Sequence, residues 1–124
     1  MSPYKIMIDD NFKYMDEDAR EEYGTVATAA EALEICRALV DMSLLERYED
    51  GQTADALYER YTDFGKDPFA IALGQSSKVN FSAWTYARQR AKEFTVPGEE
   101  GAAQRRQAAL NHIRWLRKPW SCDC

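Results

Sequence analysis

The chain has 124 residues, of which 45% are hydrophobic and 30% charged, with fifteen aromatic side chains and a formal net charge of -5. This composition excludes a disordered or collagen-like chain, and the length suits one domain with a modest core. The charge is unevenly laid out: residues 1–67 carry 17 acids and 7 bases, residues 68–124 only 4 acids and 9 bases. An acidic total disfavours generic nucleic-acid binding, which needs a net basic surface.

Tyr4, Ile6 and Ile8 alternate with Lys5 and Met7, the period of a half-buried strand. Asp9-Asp10-Asn11 is expected to end it as a turn, because these side chains bond locally to backbone. Asp16 to Glu22 has the makings of one helical turn, and Tyr23 to Val26 reads as a second short strand, antiparallel to the first. Thr28-Ala29-Ala30-Glu31 is a capping box. It opens a helix over 29–48 whose apolar stripe is Leu33, Cys36, Val40 and Leu44, widened by Ile35, Leu39 and Met42, and which Asp50-Gly51 stops.

Thr53 caps a second helix presenting Leu57, Tyr58, Tyr61 and Phe64, with Gly65 as its C′ residue and Pro68 just beyond. Phe69 to Leu73 is a third strand, whose place in the sheet the sequence leaves open. Ser82 caps a third helix with Trp84, Ala87, Ala91 and Phe94 on one face. After the linker-like stretch Val96 to Gly101, a basic helix over 102–117 carries Ala109, Leu110, Ile113 and Leu116, and Pro119 prevents its continuation. The expected fold is α+β: a small antiparallel sheet of about three strands with three to four helices packed on one face. Residues 1–124 read as a single domain, with 99–124 a basic C-terminal helix and tail. The expected core is Ile6, Ile8, Leu33, Cys36, Val40, Leu44, Leu57, Tyr61, Phe69, Ile71, Trp84 and Phe94.

Three segments, Ile8-Asp9-Asp10-Asn11-Phe12 with Tyr14-Met15-Asp16-Glu17, then Phe64-Gly65-Lys66-Asp67-Pro68-Phe69, then Phe81-Ser82-Ala83-Trp84-Thr85-Tyr86-Ala87, resemble a family of small uncharacterised bacterial proteins over residues 4 to 94 in the same order. The resemblance implies a small bacterial cytoplasmic protein and carries over no catalytic residue. The tail from Gly101 lies outside it.

The acidic loop offers hard oxygen ligands in Asp9, Asp10, Asn11, Asp16, Glu17 and Asp18, but its spacing is not that of a calcium loop: Arg20 falls at the fifth position from Asp16, and no glycine follows it. No metal and no cofactor are expected. Phe12, Tyr14 and Tyr23 sit in or beside the loop. His112, the one histidine, has no cysteine at metal-ligand spacing. Cys36 lies on an apolar stripe and behaves as a small hydrophobe. Cys122-Asp123-Cys124 ends the chain, a motif of low specificity that is compatible with a metal, a disulfide or an inert tail. With no apolar leader at Met1 to Lys5 and no run of the ~20 apolar residues a bilayer span needs, the protein is expected in a cytoplasm with reduced thiols.

The candidate binding residues are therefore Asp9, Asp10, Asn11, Tyr14 and Asp16 in the loop, and Arg106, Arg114 and Trp115 in the basic helix. The preferred reading is a binding or interaction module without catalysis, engaging a protein partner or a second copy of itself. The alternative is a small-molecule-binding protein or enzyme using the acidic-aromatic loop. An aromatic-lined pocket holding a carboxylate of raised pKa favours the alternative, and a flat acidic surface favours the module.

Overall fold

The alternation of Tyr4, Ile6 and Ile8 builds the middle strand of a three-stranded sheet. A computed structural model describes residues 3–11, 20–74, 76, 78–95, 100–114 and 116. Strand β1 spans Tyr4–Asp10, β2 Glu21–Val26 and β3 Lys66–Ala72, in the order β2-β1-β3 with both pairings antiparallel. In the β1–β2 hairpin Ile6 faces Gly24 but Met7 faces Glu22. Tyr23 is thus an extra residue, a bulge that bends the ribbon.

β3 lies against the other edge of β1, with Tyr4 opposite Ala72, Asp9 opposite Asp67 and Asp10 opposite Lys66. This corrects the loop expected at Asp9-Asp10: both residues continue the strand, because β3 begins at Lys66 and gives them partners. Pro68 is tolerated inside β3 because the bonds from the Asn11 N–H to the Gly65 carbonyl and from the Leu73 N–H to the Pro3 carbonyl fix the register. Odd-numbered β3 residues then bond to β1, and the missing N–H of Pro68 falls on the free edge. Glu21 and Glu22, read as the close of a helical turn, belong to β2.

Helix α1 spans Ala29–Arg47. The Thr28 hydroxyl accepts from the Glu31 N–H at 3.1 Å and lies 3.1 Å from the Glu31 carboxylate, to which it donates. One side of α1, with Ala32, Cys36 and Leu39, packs on Tyr4, Ile6 and Ile8 of the sheet. Its other side, Val40 and Leu44, packs on Leu57, Tyr61, Ala87, Ala91 and Phe94 of the remaining helices. The helix is therefore buried all round in its second half: every residue from Ala38 to Leu44 is buried, including Asp41 and Ser43. A helix in that position reads as hydrophobic on more than one face.

Helix α2 spans Ala54–Phe64, capped by Thr53 through the Ala56 N–H. Gly65 ends it in an extended conformation, φ -79°, and not in the left-handed one expected of a C′ glycine. Space selects it instead: a Cβ there would stand 2.5 Å from Tyr61 Cδ1 and 2.9 Å from Ser43 Oγ. Helix α3 spans Ala83–Phe94, its N-cap Ser82 accepting from the Thr85 N–H at 3.3 Å. Helix α4 spans Glu100–Ile113, and Ala102, Ala109, Ile113 and the following Leu116 are buried.

The expected core needs correction at four places. Trp84 and Ile71 are each 39% exposed, and Leu33 and Phe69 are half-buried. The buried line of α3 starts at Ala83 and proceeds in steps of four to Ala87 and Ala91, so Trp84, about 100° further round, stands at its rim. Phe69 and Ile71 occupy the face of β3 opposite Pro68, Ala70 and Ala72, which is the side turned away from α1. Leu110, assigned to the apolar line of the last helix, is also exposed. Among the described residues, no helix is long and apolar enough to cross a membrane.

Candidate functional site

The end of β1, the start of β3 and the start of α3 meet around Asn11. This asparagine is 8% exposed. Its backbone N–H donates to the Gly65 carbonyl and its side-chain amide to the Tyr61 carbonyl, both at 3.0 Å, satisfying acceptors at the end of α2. Its amide oxygen accepts from the Trp84 indole N–H at 3.3 Å. Trp84 is thus held by one edge while its ring stays partly exposed.

That ring, together with Phe69, Phe81 and the Asp67 side chain, lines a pocket of about 480 Å³, completed by Ser82 and Ala83. Asp67 is the polar feature of the pocket. Its carboxyl is pushed up to about 6, chiefly because burial strips its water, and secondarily because Asp9 stands opposite it across the β1–β3 pairing. Its neighbours are spoken for by other groups. Asp9 is paired with Arg20, whose Nε lies 2.7 Å and Nη2 3.3 Å from the two carboxylate oxygens. Asp10 is paired with Lys66 at 2.9 Å. Among the described residues neither a cation nor a hydrogen-bond donor reaches the Asp67 carboxylate; burial first, and the Asp67 charge second, push the Cys36 thiol up to about 12, and the same two causes raise the buried Tyr61 hydroxyl. The Tyr61 hydroxyl itself donates to the Lys66 carbonyl at 2.6 Å, and the Ser43 hydroxyl accepts from the Lys66 N–H, so the backbone leading into Asp67 is fixed from two sides.

Of the residues singled out from sequence, Asp9, Asp10 and Asn11 come together beside this pocket, Asn11 by direct contact with Trp84. Tyr14, Asp16 and Trp115 lie outside the described residues, as do Phe12, Glu17, Asp18, Cys122, Cys124 and most of the Val96–Gly101 linker. Arg106 is at the far end of α3. Its Nη1 donates to the Phe94 carbonyl at 2.5 Å and its guanidinium carbon stands 4.1 Å from the centre of the Tyr48 ring. Arg105 donates to the neighbouring Glu93 carbonyl at 2.8 Å. These two arginines cap the free carbonyls at the end of α3. Arg114 is exposed, and the exposed His112 lies 3.3 Å from Glu34.

A second pocket, of about 430 Å³, lies between α1, α3 and α4 and includes Leu33, Glu34, Arg37, Asp41, Tyr86 and His112. Its deep carboxylate is already satisfied: Arg90 forks Asp41 at 2.9 and 3.1 Å, and the Tyr86 hydroxyl donates to it at 3.2 Å. Burial raises the Asp41 pKa and these bonds oppose the rise.

The sequence reading missed Asp67, Phe69, Phe81 and Trp84 as site residues. A signal was present: Asp67 and Phe69 belong to the Phe64–Phe69 segment, and Phe81 to Trp84 to the Phe81–Ala87 segment. With Asn11 from the opening segment, three stretches far apart in the sequence converge here. Comparison with known proteins gives no matching family, no matching curated protein and no matching solved structure, so the chemistry of the site is the guide to function.

Proposed function

We propose that the protein is a binding protein for a small organic cation, taken into the Asp67 pocket. The observation that carries this is an unpaired carboxylate of raised pKa among three aromatic rings, Phe69, Phe81 and Trp84. A carboxylate deprived of water gains from a counter-charge, and aromatic faces attract a cation that is itself partly desolvated. This is the criterion that favours the small-molecule alternative over the protein-interaction module. The commitment of Arg105 and Arg106 to α3 also removes part of the charge that the module was to use. Ser82, which also lines the pocket, is engaged as a helix cap, so Asp67 is the charged group the pocket offers to a ligand. The resemblance to small bacterial proteins carries no activity and adds nothing to this reading.

Calorimetric titration of the full chain with organic cations, spanning alkylamines, alkylguanidines and tetraalkylammonium ions, tests it. At least one class should bind with one-to-one stoichiometry at pH 8 and lose about tenfold or more in affinity on Asp67→Asn. Absence of binding across the series, or binding indifferent to Asp67→Asn, would refute the proposal.

A further inference from the structure

We infer that Arg20 sets the charge of the ligand: by neutralising Asp9 beside the pocket it makes the site one for a single positive charge, and without it Asp9 and Asp67 together would hold a dication. This rests on the cation-binding reading above and adds the residue that decides which cations satisfy it. Asp9 and Asp67 are directly opposite each other in the β1–β3 ladder. The bonds from Asn11 to Gly65 and from Leu73 to Pro3 make theirs a hydrogen-bonded pair, in which the two Cα atoms stand about 5.5 Å apart and the side chains share one face of the sheet. Phe69, two residues on from Asp67, is on that face too. Like charges so placed oppose each other, and Asp9 accordingly adds to the rise in the Asp67 pKa.

Arg20 is built onto the same face. Its Nε and Nη2 lie 2.7 and 3.3 Å from the two oxygens of Asp9, and its guanidinium carbon stands 5.2 Å from the centre of the Phe69 ring, which also lines the pocket. Arg20 thus meets both the carboxylate opposite Asp67 and one wall of the pocket. Asp10, the next acid along β1, is held by Lys66 at 2.9 Å. Counted as charges, these two pairs cancel and Asp67 remains, the other lining residues being Phe69, Phe81, Ser82, Ala83 and Trp84. One positive charge completes that balance. A second charge on the same ligand finds no second carboxylate to repay the water it gives up. Removing the Arg20 charge leaves Asp9 facing Asp67, and two carboxylates on one face then favour a dication. The Asp9–Arg20 pair is more than a third exposed at both ends, so breaking it costs the fold little and its effect is read on binding.

The test is calorimetry on the full chain at pH 8 and low salt, where screening is weak, with a monocation and a dication from each class of the series above: butylammonium against 1,4-butanediammonium, butylguanidinium against its bis-guanidinium counterpart, and tetramethylammonium against a bis-trimethylammonium alkane. The wild-type chain should hold the two members of a binding pair with similar affinity. Arg20→Gln should raise the dication's advantage at least about tenfold. Arg20→Lys, which keeps the charge, should not, and adding Asp9→Asn to Arg20→Gln should abolish the gain. With no ligand present, the Asp67 carboxyl should titrate at higher pH in Arg20→Gln than in the wild type and return when Asp9→Asn is added, a pattern that a merely structural role for Arg20 would not produce. Monocation binding that is lost on Asp67→Asn, with a dication preference that Arg20→Gln leaves unchanged, overturns this inference and leaves the cation pocket standing. A dication gain that survives the added Asp9→Asn also overturns it, since the second charge would then be met elsewhere. So does a wild-type chain that already prefers the dication by about tenfold. No binding by the wild-type chain across the whole series overturns both.

Discussion

Asp67 is held in a state that works against the fold. Its carboxyl titrates near 6 in the folded chain against an ordinary value of 3.8, so between those two pH values the folded state binds more protons than the unfolded one. The contribution of this one group to stability is then greatest below about 3.8, falls as pH rises through that window, and levels off above about 6. A shift of this size corresponds to roughly 2–3 kcal/mol. Asp67→Asn removes the charge while keeping the shape. We expect the variant to gain of order 2 kcal/mol at pH 7 and nothing at pH 3.5, measured as the difference between urea denaturation curves of the two proteins at each pH. An equal effect at both pH values would mean that Asp67 is not a destabilised carboxylate. A residue retained at such a cost is what a ligand site looks like before its ligand is considered.

At the scale of elements, the caps were legible and the burial was not fully so. Thr28, Thr53 and Ser82 each accept from the N–H three residues on, because a capping oxygen acts within one turn and needs no tertiary knowledge. The extent of α1 burial depends on two layers meeting on opposite sides of one helix, which no stripe within the helix announces. Trp84 and Ile71 were misplaced because burial is decided by what packs on each face: Trp84 stands one position off the buried line of α3, at its rim, and Ile71 lies on the face of β3 turned away from α1. The capping of α3 by α4 was equally hidden, since Arg105 and Arg106 read locally as surface charge. It yields a prediction: Arg106→Ala removes a carbonyl cap and the contact with Tyr48, and should cost about 1–2 kcal/mol in chemical denaturation, whereas the exposed Arg114→Ala should cost nearly nothing. Equal effects of the two would mean that the α3 cap contributes no stability.

At the scale of the whole molecule, the division between an acidic first half and a basic second half is partly resolved inside the chain. Arg90 of the second half pairs with Asp41 of the first, and His112 lies beside Glu34. Helix α4 is part of both hydrophobic clusters, with Ile113 and Leu116 on the sheet side and Ala109 on the helical side. Truncation after Pro97 should therefore remove roughly 5 kcal/mol of apolar burial, a large share of ordinary domain stability. It should give a chain that binds a hydrophobic dye and melts without a sharp transition. A truncated chain that melts like the whole would show α4 to be an appendage.

The place of the acidic segment beside the candidate pocket was half-visible in the sequence, because Asn11 sits in the stretch that drew attention, but Asp67 joined the candidate site only when β3 set it opposite Asp9 in a pocket that Trp84 also lines. On the proposed reading Asp67 is a desolvated carboxylate that an organic cation would neutralise. Carboxyl carbon NMR of the full chain, with the Asp67 signal assigned by Asp67→Asn, measures it directly. A midpoint near 6 is expected in the free protein, moving down toward the ordinary carboxylate range with a saturating organic cation from the titration series, since a bound cation favours the charged form. A midpoint near 3.8 that no organic cation moves would contradict it.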